Sequence, residues 1–193
     1  MREFVPPNAK TLPPQATRVF TGKIFDVYQW PQQLYDGTMT TFEMLRRPDT
    51  VEVIGIDGDK IILTRQIQPH QDWFYAYPGG RVEPSDKNEL WAARREMREE
   101  TGLEFQELKL VSVHQPQPKI DWLVYIFVAN NVTRRGDLQP DAGEKIEVLK
   151  LSLPKLKELA KQPNAKFLLP DFMKDIQTID ELKTATAVHQ YSD

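Results

Sequence analysis

One stretch constrains this chain more than any other: residues 78–103, PGGRVEPSDKNELWAARREMREETGL. It opens on a glycine pair, which permits backbone shapes other residues resist and lets a second chain segment or a ligand come close. It then passes through a turn into an amphipathic helix ending at Gly102. Glu96 and Glu100 are four residues apart, and Glu96 and Glu99 three apart, so the three carboxylates share one side of that helix. Like charges at these spacings destabilise a helix unless a cation sits among them. A hard, oxygen-seeking cation such as Mg2+ answers that need, because it combines carboxylates with substrate phosphates rather than demanding an all-protein cage. The stretch therefore predicts metal-assisted chemistry on a phosphate. The plain alternative, a solvated charged helix face, does not explain the glycines at both ends.

The same residues resemble the signature of the Nudix hydrolases, G-x5-E-x7-R-E-U-x-E-E-x-G-U with U aliphatic. Arg95, Glu96, Met97, Glu99, Glu100, Gly102 and Leu103 fit the second half at every place. The first half departs: one extra residue lies between Gly80 and Arg95, and Lys87 stands where the pattern has its first acid. Asp86 stands the right distance after Gly80 to supply a carboxylate through a one-residue insertion.

Composition narrows the classes around that reading. With 193 residues there is room for one domain with a sizeable core and a small appendage. A net charge of −3 offers no basic footprint for general nucleic-acid binding. Cysteine is absent, which excludes disulfides and thiol nucleophiles. No apolar run approaches membrane-spanning length, and the N-terminus lacks the apolar core of a signal peptide, so a cytoplasmic enzyme is expected. His70, His114 and His189 have no metal-ligand spacing, and neither a P-loop nor a GxSxG elbow is present.

Along the chain, the Pro-rich residues 1–15 should be extended, either disordered or draped on a neighbour. RVFTGKIFDVYQW and TMTTFEMLRR flank Asp36-Gly37 and predict a hairpin. Its first strand carries Phe25 and Val27 on one face and Ile24, Tyr28 and Trp30 on the other, so both faces need cover, within the domain or from a second subunit. VEVIGI and KIILTRQ form a second hairpin about Asp57-Gly58-Asp59, and WFYAY is a short aromatic strand leading to Pro78. Asp86 with Glu89 has capping-box spacing, and Leu90, Ala93 and Met97 mark the buried stripe of the box helix. LKLVSVHQ, WLVYIFVAN and KIEVLKLSL read as strands, and LPKLKELAKQ as a helix with Leu156 and Leu159 facing in. Residues 170–184 predict a C-terminal helix, and the tail AVHQYSD should be loose.

Pattern alone gives an α+β domain with a mixed sheet and no βαβ alternation. The resemblance implies the Nudix fold, a mixed β-sheet sandwiched between helices, over residues 47–193. It also implies that residues 1–46, with their β-hairpin extension, resemble the dimerising segment of the ADP-ribose and ADP-sugar pyrophosphatase branch. By the same resemblance Glu96, Glu99, Glu100 and the Gly79 carbonyl hold Mg2+ or Mn2+, and Arg95 orients the carboxylates. Glu144, at the end of a long polar loop, activates water, with Glu147 as the structural alternative. Arg65, Gly80 and Pro118 contact substrate; a proline fifteen residues past Leu103 marks ADP-ribose hydrolysing members. Two departures weigh against that ligand: Gln68 replaces the second Arg of RQxR, and Ala76 replaces a Glu four residues before the box glycine. Trp73, Phe74, Tyr75 and Tyr77 belong to the core or stack a base. The expected partner is a nucleotide-type small molecule. The alternatives are a nucleoside triphosphate or dinucleotide substrate, or a ligand-sensing module without catalysis.

Overall fold

The computed structural model describes residues 2–69, 71–139, 145–165 and 167–191. Its centre is a seven-stranded mixed sheet. The strands are β4 (Thr50–Asp57), β5 (Lys60–Gln68), β6 (Gln71–Ala76), β7 (Gly79–Arg81), β8 (Leu103–His114), β10 (Val124–Arg135) and β11 (Lys145–Leu151). The backbone order is β11-β5-β4-β10-β8, with β6 added to β5 and β7 to β4. β4 and β10 run parallel while the other pairs are antiparallel.

Alternation along β4 decides which helix lies on which face. Val51 and Val53 join Ala92, Ala93 and Met97 of α1 (Glu89–Thr101), while Ile54 and Ile56 join Leu153 and Leu156 of α2 (Leu153–Leu159). A Cβ on Gly55 would stand 2.5 Å from the Met97 methyl, so the missing side chain leaves room for Met97 between α1 and the sheet. β10 carries Val124, Ile126 and Val128 on one face and Tyr125, Phe127 and Ala129 on the other, all buried, as a strand covered by helices on both sides must be. This is the sandwich that the resemblance implied. No helix among the described residues is long and apolar enough to cross a membrane.

The N-terminal segment differs in detail from the expected hairpin. Its first strand breaks at residues 22–25 into β1 (Thr17–Thr21) and β2 (Asp26–Gln33), which pair with each other, and β3 (Met39–Arg46) follows β2 through Gly37 at φ 86°. Gly22 makes the break possible, since a Cβ there would meet the Phe25 carbonyl oxygen at 2.4 Å. β9 (Ile120–Asp121) pairs parallel to β3 and ties this small sheet to the rest. Residues 2–12 are draped: Arg2 bridges Asp49 and Asp121, and the Phe4 carbonyl accepts from the Tyr125 hydroxyl.

The C-terminus also departs from expectation. Residues 170–184 form a 3-10 turn, Asp171–Met173, and a short helix α3 (Ile179–Lys183), anchored by buried Met173 and Leu182 rather than by a continuous stripe. The tail is not loose, because Val188 N–H donates to the Leu110 carbonyl and His189 stacks on Phe4.

Candidate active site

The cap of the box helix lies two residues past Asp86. Asn88 caps it by accepting the Trp91 N–H at 3.1 Å, and Gly102 ends it at φ 68°. Asp86 is thereby released from capping, and Arg95 takes it. The guanidinium donates to both Asp86 carboxylate oxygens, at 3.1 and 2.9 Å, and to the Arg81 carbonyl at 3.0 Å. Its remaining arm donates to Glu96 at 2.8 Å and Glu99 at 3.0 Å. The cation that the clustered acids require is thus partly built in, one turn back on the same helix. The Asp86 hydrogen bonds first, and the two glutamates after them, hold Arg95 still more firmly protonated than usual. Burial alone would raise Asp86, but the Arg95 hydrogen bonds, the Glu83 N–H and the Arg95 charge outweigh it and lower its pKa. The one-residue insertion therefore restores the ion pair that Lys87 could not make.

The glycine pair lies under the helix. β7 pairs with β4, setting Gly80 opposite Val51 and Gly79 opposite Glu52. A Cβ on Gly79 would stand 2.1 Å from the Val51 carbonyl oxygen, and one on Gly80 would stand 2.5 Å from the Glu96 carboxylate. Only glycine allows the acids and this strand to approach so closely. Glu100, 5% exposed, accepts from Gly79 N–H and from Gln66 Nε2, each at 3.3 Å. Glu96 and Glu100 therefore flank the Gly79–Gly80 backbone. Among the described residues no three acids converge at metal-holding spacing. The chemistry of the donors nevertheless suits a hard divalent cation: carboxylate oxygens beside a glycine backbone that no Cβ obstructs.

Two residues in the neighbourhood escaped the sequence reading. Gln66, buried, also donates to Thr64 Oγ1 at 2.7 Å and fixes the Glu100 carboxylate from the β5 side. Glu52 interrupts the apolar β4, and burial pushes its carboxyl up to about 7. The signal for both was a polar residue inside a Val/Ile-rich strand.

The other predicted site residues scatter. Glu144 lies outside the described residues, as do residues 140–143 of its loop. Glu147 pairs with Arg65 across β11 and β5 at 3.3 Å. The Arg65 guanidinium also lies over the Trp73 ring, 4.4 Å from its centroid. Tyr77 is core, with its hydroxyl donating to the Leu168 carbonyl. Pro118 lines a cavity between residues 9–13 and the N-terminal sheet, to which no box residue contributes.

Comparison with known proteins gives the family. The NUDIX domain profile matches residues 46–174. The chain belongs to the Nudix family. It is a Nudix pyrophosphohydrolase, and Nudix hydrolases generally use divalent metal ions. This Nudix chain is 28% identical over 140 residues to an ADP-ribose pyrophosphatase of Bacillus subtilis (strain 168), covering 70% of this chain and 75% of that protein. It is 24% identical over 149 residues to a methanol dehydrogenase activator of Bacillus methanolicus, covering 75% and 80%. A solved structure described as an ADP compounds hydrolase superposes with a TM-score of 0.65 at 21% identity, covering 82% of this Nudix chain and 91% of that one, which shows the shared fold.

Proposed function

We propose that this Nudix hydrolase cleaves the anhydride of a nucleoside diphosphate linked to a second moiety, with ADP-ribose as the leading substrate. The observation that carries the reading is the placement of Glu96 and Glu100 against the Gly79–Gly80 backbone, beside the Arg95–Asp86 clamp. Glu96, Glu99, Glu100 and the Gly79 carbonyl are the residues that would hold Mg2+, or Mn2+. When bound, such an ion supplies charge neutralisation at the diphosphate oxygens. Arg95 orients Glu96 and Glu99 and fixes the loop through Asp86 and the Arg81 carbonyl. Glu144 takes a proton from the attacking water. The water oxygen bonds to phosphorus, the bridging P–O bond breaks, and ADP-ribose yields AMP and ribose 5-phosphate.

The similarity to an ADP-ribose pyrophosphatase supports the nucleotide class. Gln68 and Ala76 remove polar contacts that would reject other ligands, and a site short of such contacts discriminates poorly. At least one other nucleoside diphosphate derivative is therefore turned over comparably. Retention of all three box glutamates separates this chain from a non-catalytic sensor. Residues 1–46 form the dimerising extension: Val19, Phe20 and Met39 on the small sheet and Ile24 on its β1–β2 connection are more than half exposed, and a second copy would cover them. A cytoplasmic location goes with this reading.

The test is kcat/KM for ADP-ribose, ADP-glucose, GDP-mannose, NADH and the nucleoside triphosphates, with and without Mg2+. Measurable, metal-dependent ADP-ribose hydrolysis is expected. A preference of more than about a thousandfold for any triphosphate would overturn the substrate reading.

A further inference from the structure

Where the N-terminal sheet meets the end of the box strand there is a cavity of about 550 Å3. One wall is the β1–β2 connection with Lys23, another is the end of β3 with Arg46 and Arg47, and a third is residues 82–84, which continue directly from Gly79–Arg81. Of the four acids that line this cavity, Asp26 and Asp49 are committed to ion pairs. Asp49 is held by Arg2 at 2.6 Å and Asp26 by Arg18 at 3.2 Å, while Glu89 is buried, one oxygen accepting the Glu3 N–H and the other without a hydrogen-bond partner. Glu83 remains on the wall, beside the Ser85 hydroxyl. Among the described residues Lys23, Arg46 and Arg47 pair with no carboxylate.

Arg47 is the most telling of these. Its guanidinium is held over the Trp122 ring, 4.4 Å from the centroid, and near the Phe25 ring at 5.8 Å. Its Nε is buried and has no hydrogen-bond partner. Burial first, and the neighbouring Arg81 charge second, lower its affinity for its proton. A buried donor without an acceptor, next to a second guanidinium, is costly in a folded protein and calls for an anion.

We infer that Lys23, Arg46 and Arg47 form an anion subsite that takes a phosphate monoester carried at one end of the diphosphate-linked substrate. The cations approach from two separate segments, the β1–β2 connection and the end of β3, which suits a tetrahedral dianion better than a planar carboxylate. Trp122 and Phe25 hold Arg47 in place beforehand, so little ordering is required on binding. One wall continues from Arg81, the residue after Gly80, which sets the subsite at the end of the strand that lies under the box helix. This inference rests on the proposed reaction for its substrate class but not for its charge logic.

The experiment is calorimetric titration of the metal-free native protein, which needs no turnover. AMP is compared with adenosine 2′,5′-bisphosphate and adenosine 3′,5′-bisphosphate, and ribose 5-phosphate with ribose 1,5-bisphosphate; the two series distinguish which end carries the second phosphate. In one series the bisphosphate should bind at least about tenfold more tightly, the worth of one charge-assisted hydrogen bond. Arg47→Gln and Lys23→Gln should each reduce that preference to about threefold or less. Equal binding of mono- and bisphosphates by the native protein, or a preference unchanged in both variants, overturns the subsite. Should Arg47→Gln not fold, Lys23→Gln, on an exposed turn, decides the matter alone. Failure of ADP-ribose hydrolysis in the substrate panel would overturn the proposed reaction and leave this titration unaffected.

Discussion

Replacing Arg95 with methionine tests the central clamp most directly. Methionine keeps much of the aliphatic stem and deletes the guanidinium, with its bonds to Asp86, Glu96, Glu99 and the Arg81 carbonyl. The Asp86 side chain is only 6% exposed, so the variant strands a nearly buried carboxylate. Removing one partner of a buried pair costs about 3–5 kcal/mol. Asp86 keeps the Glu83 N–H at 2.8 Å, which moves the expectation to the lower end, about 3 kcal/mol. For a domain of this size that lowers Tm by roughly 6–12 °C. Urea denaturation of Arg95→Met, Asp86→Asn and the double variant gives the coupling, expected at about 1.5 kcal/mol or more, because Asn leaves no buried charge. The sign with pH follows from the lowered Asp86 pKa. Its stabilisation is present above the ordinary Asp value of about 4 and is lost as pH falls through the folded-state value, so native and variant should converge in acid. A loss under about 1 kcal/mol, or additive single variants, would refute the view that Asp86 replaces the missing box acid.

Other outcomes follow from the same geometry. Glu96→Gln and Glu100→Gln should each lower kcat about a hundredfold or more in the metal-dependent assay, the scale of lost charge stabilisation at a reacting centre. Glu144→Gln should lower kcat by about 10² to 10⁴ with KM nearly unchanged, while Glu147→Gln, whose carboxylate serves Arg65, stays within about threefold; the reverse order would identify Glu147 as the base. Glu52, raised to about 7, is more easily protonated folded than unfolded. Its contribution is full below about pH 4.5 and is lost as pH rises to about 7, so metal-free Glu52→Gln should gain up to about 3 kcal/mol on native between those limits, measured by denaturation at pH 4.5 and 8. Sedimentation at micromolar concentration should show twice the 22.4 kDa chain mass, and Phe20→Glu should shift it to monomer.

The box is legible in the chain itself because its information is local. Three carboxylates at helical spacing, two glycines before them and one after specify a loop, a helix and its end within 26 residues, and no distant contact is needed to read them. The same holds for the turns at Gly37 and Gly58, whose positive φ a short sequence announces. Partner choice is another matter. Asp86 has capping-box spacing with Glu89, but Asn88 takes the cap, and Arg95, nine residues on, claims the free carboxylate. Residues 170–184 have helical composition, yet Met173 and Leu182 are anchored in the core separately, and that packing overrides propensity. Gln66 reaches Glu100, and Arg47 settles over Trp122, only because strand pairing brings together residues 34 and 75 positions apart. Spacing along the chain fixes which side of a helix a charge lies on; which charge it meets depends on how the sheet brings distant segments side by side.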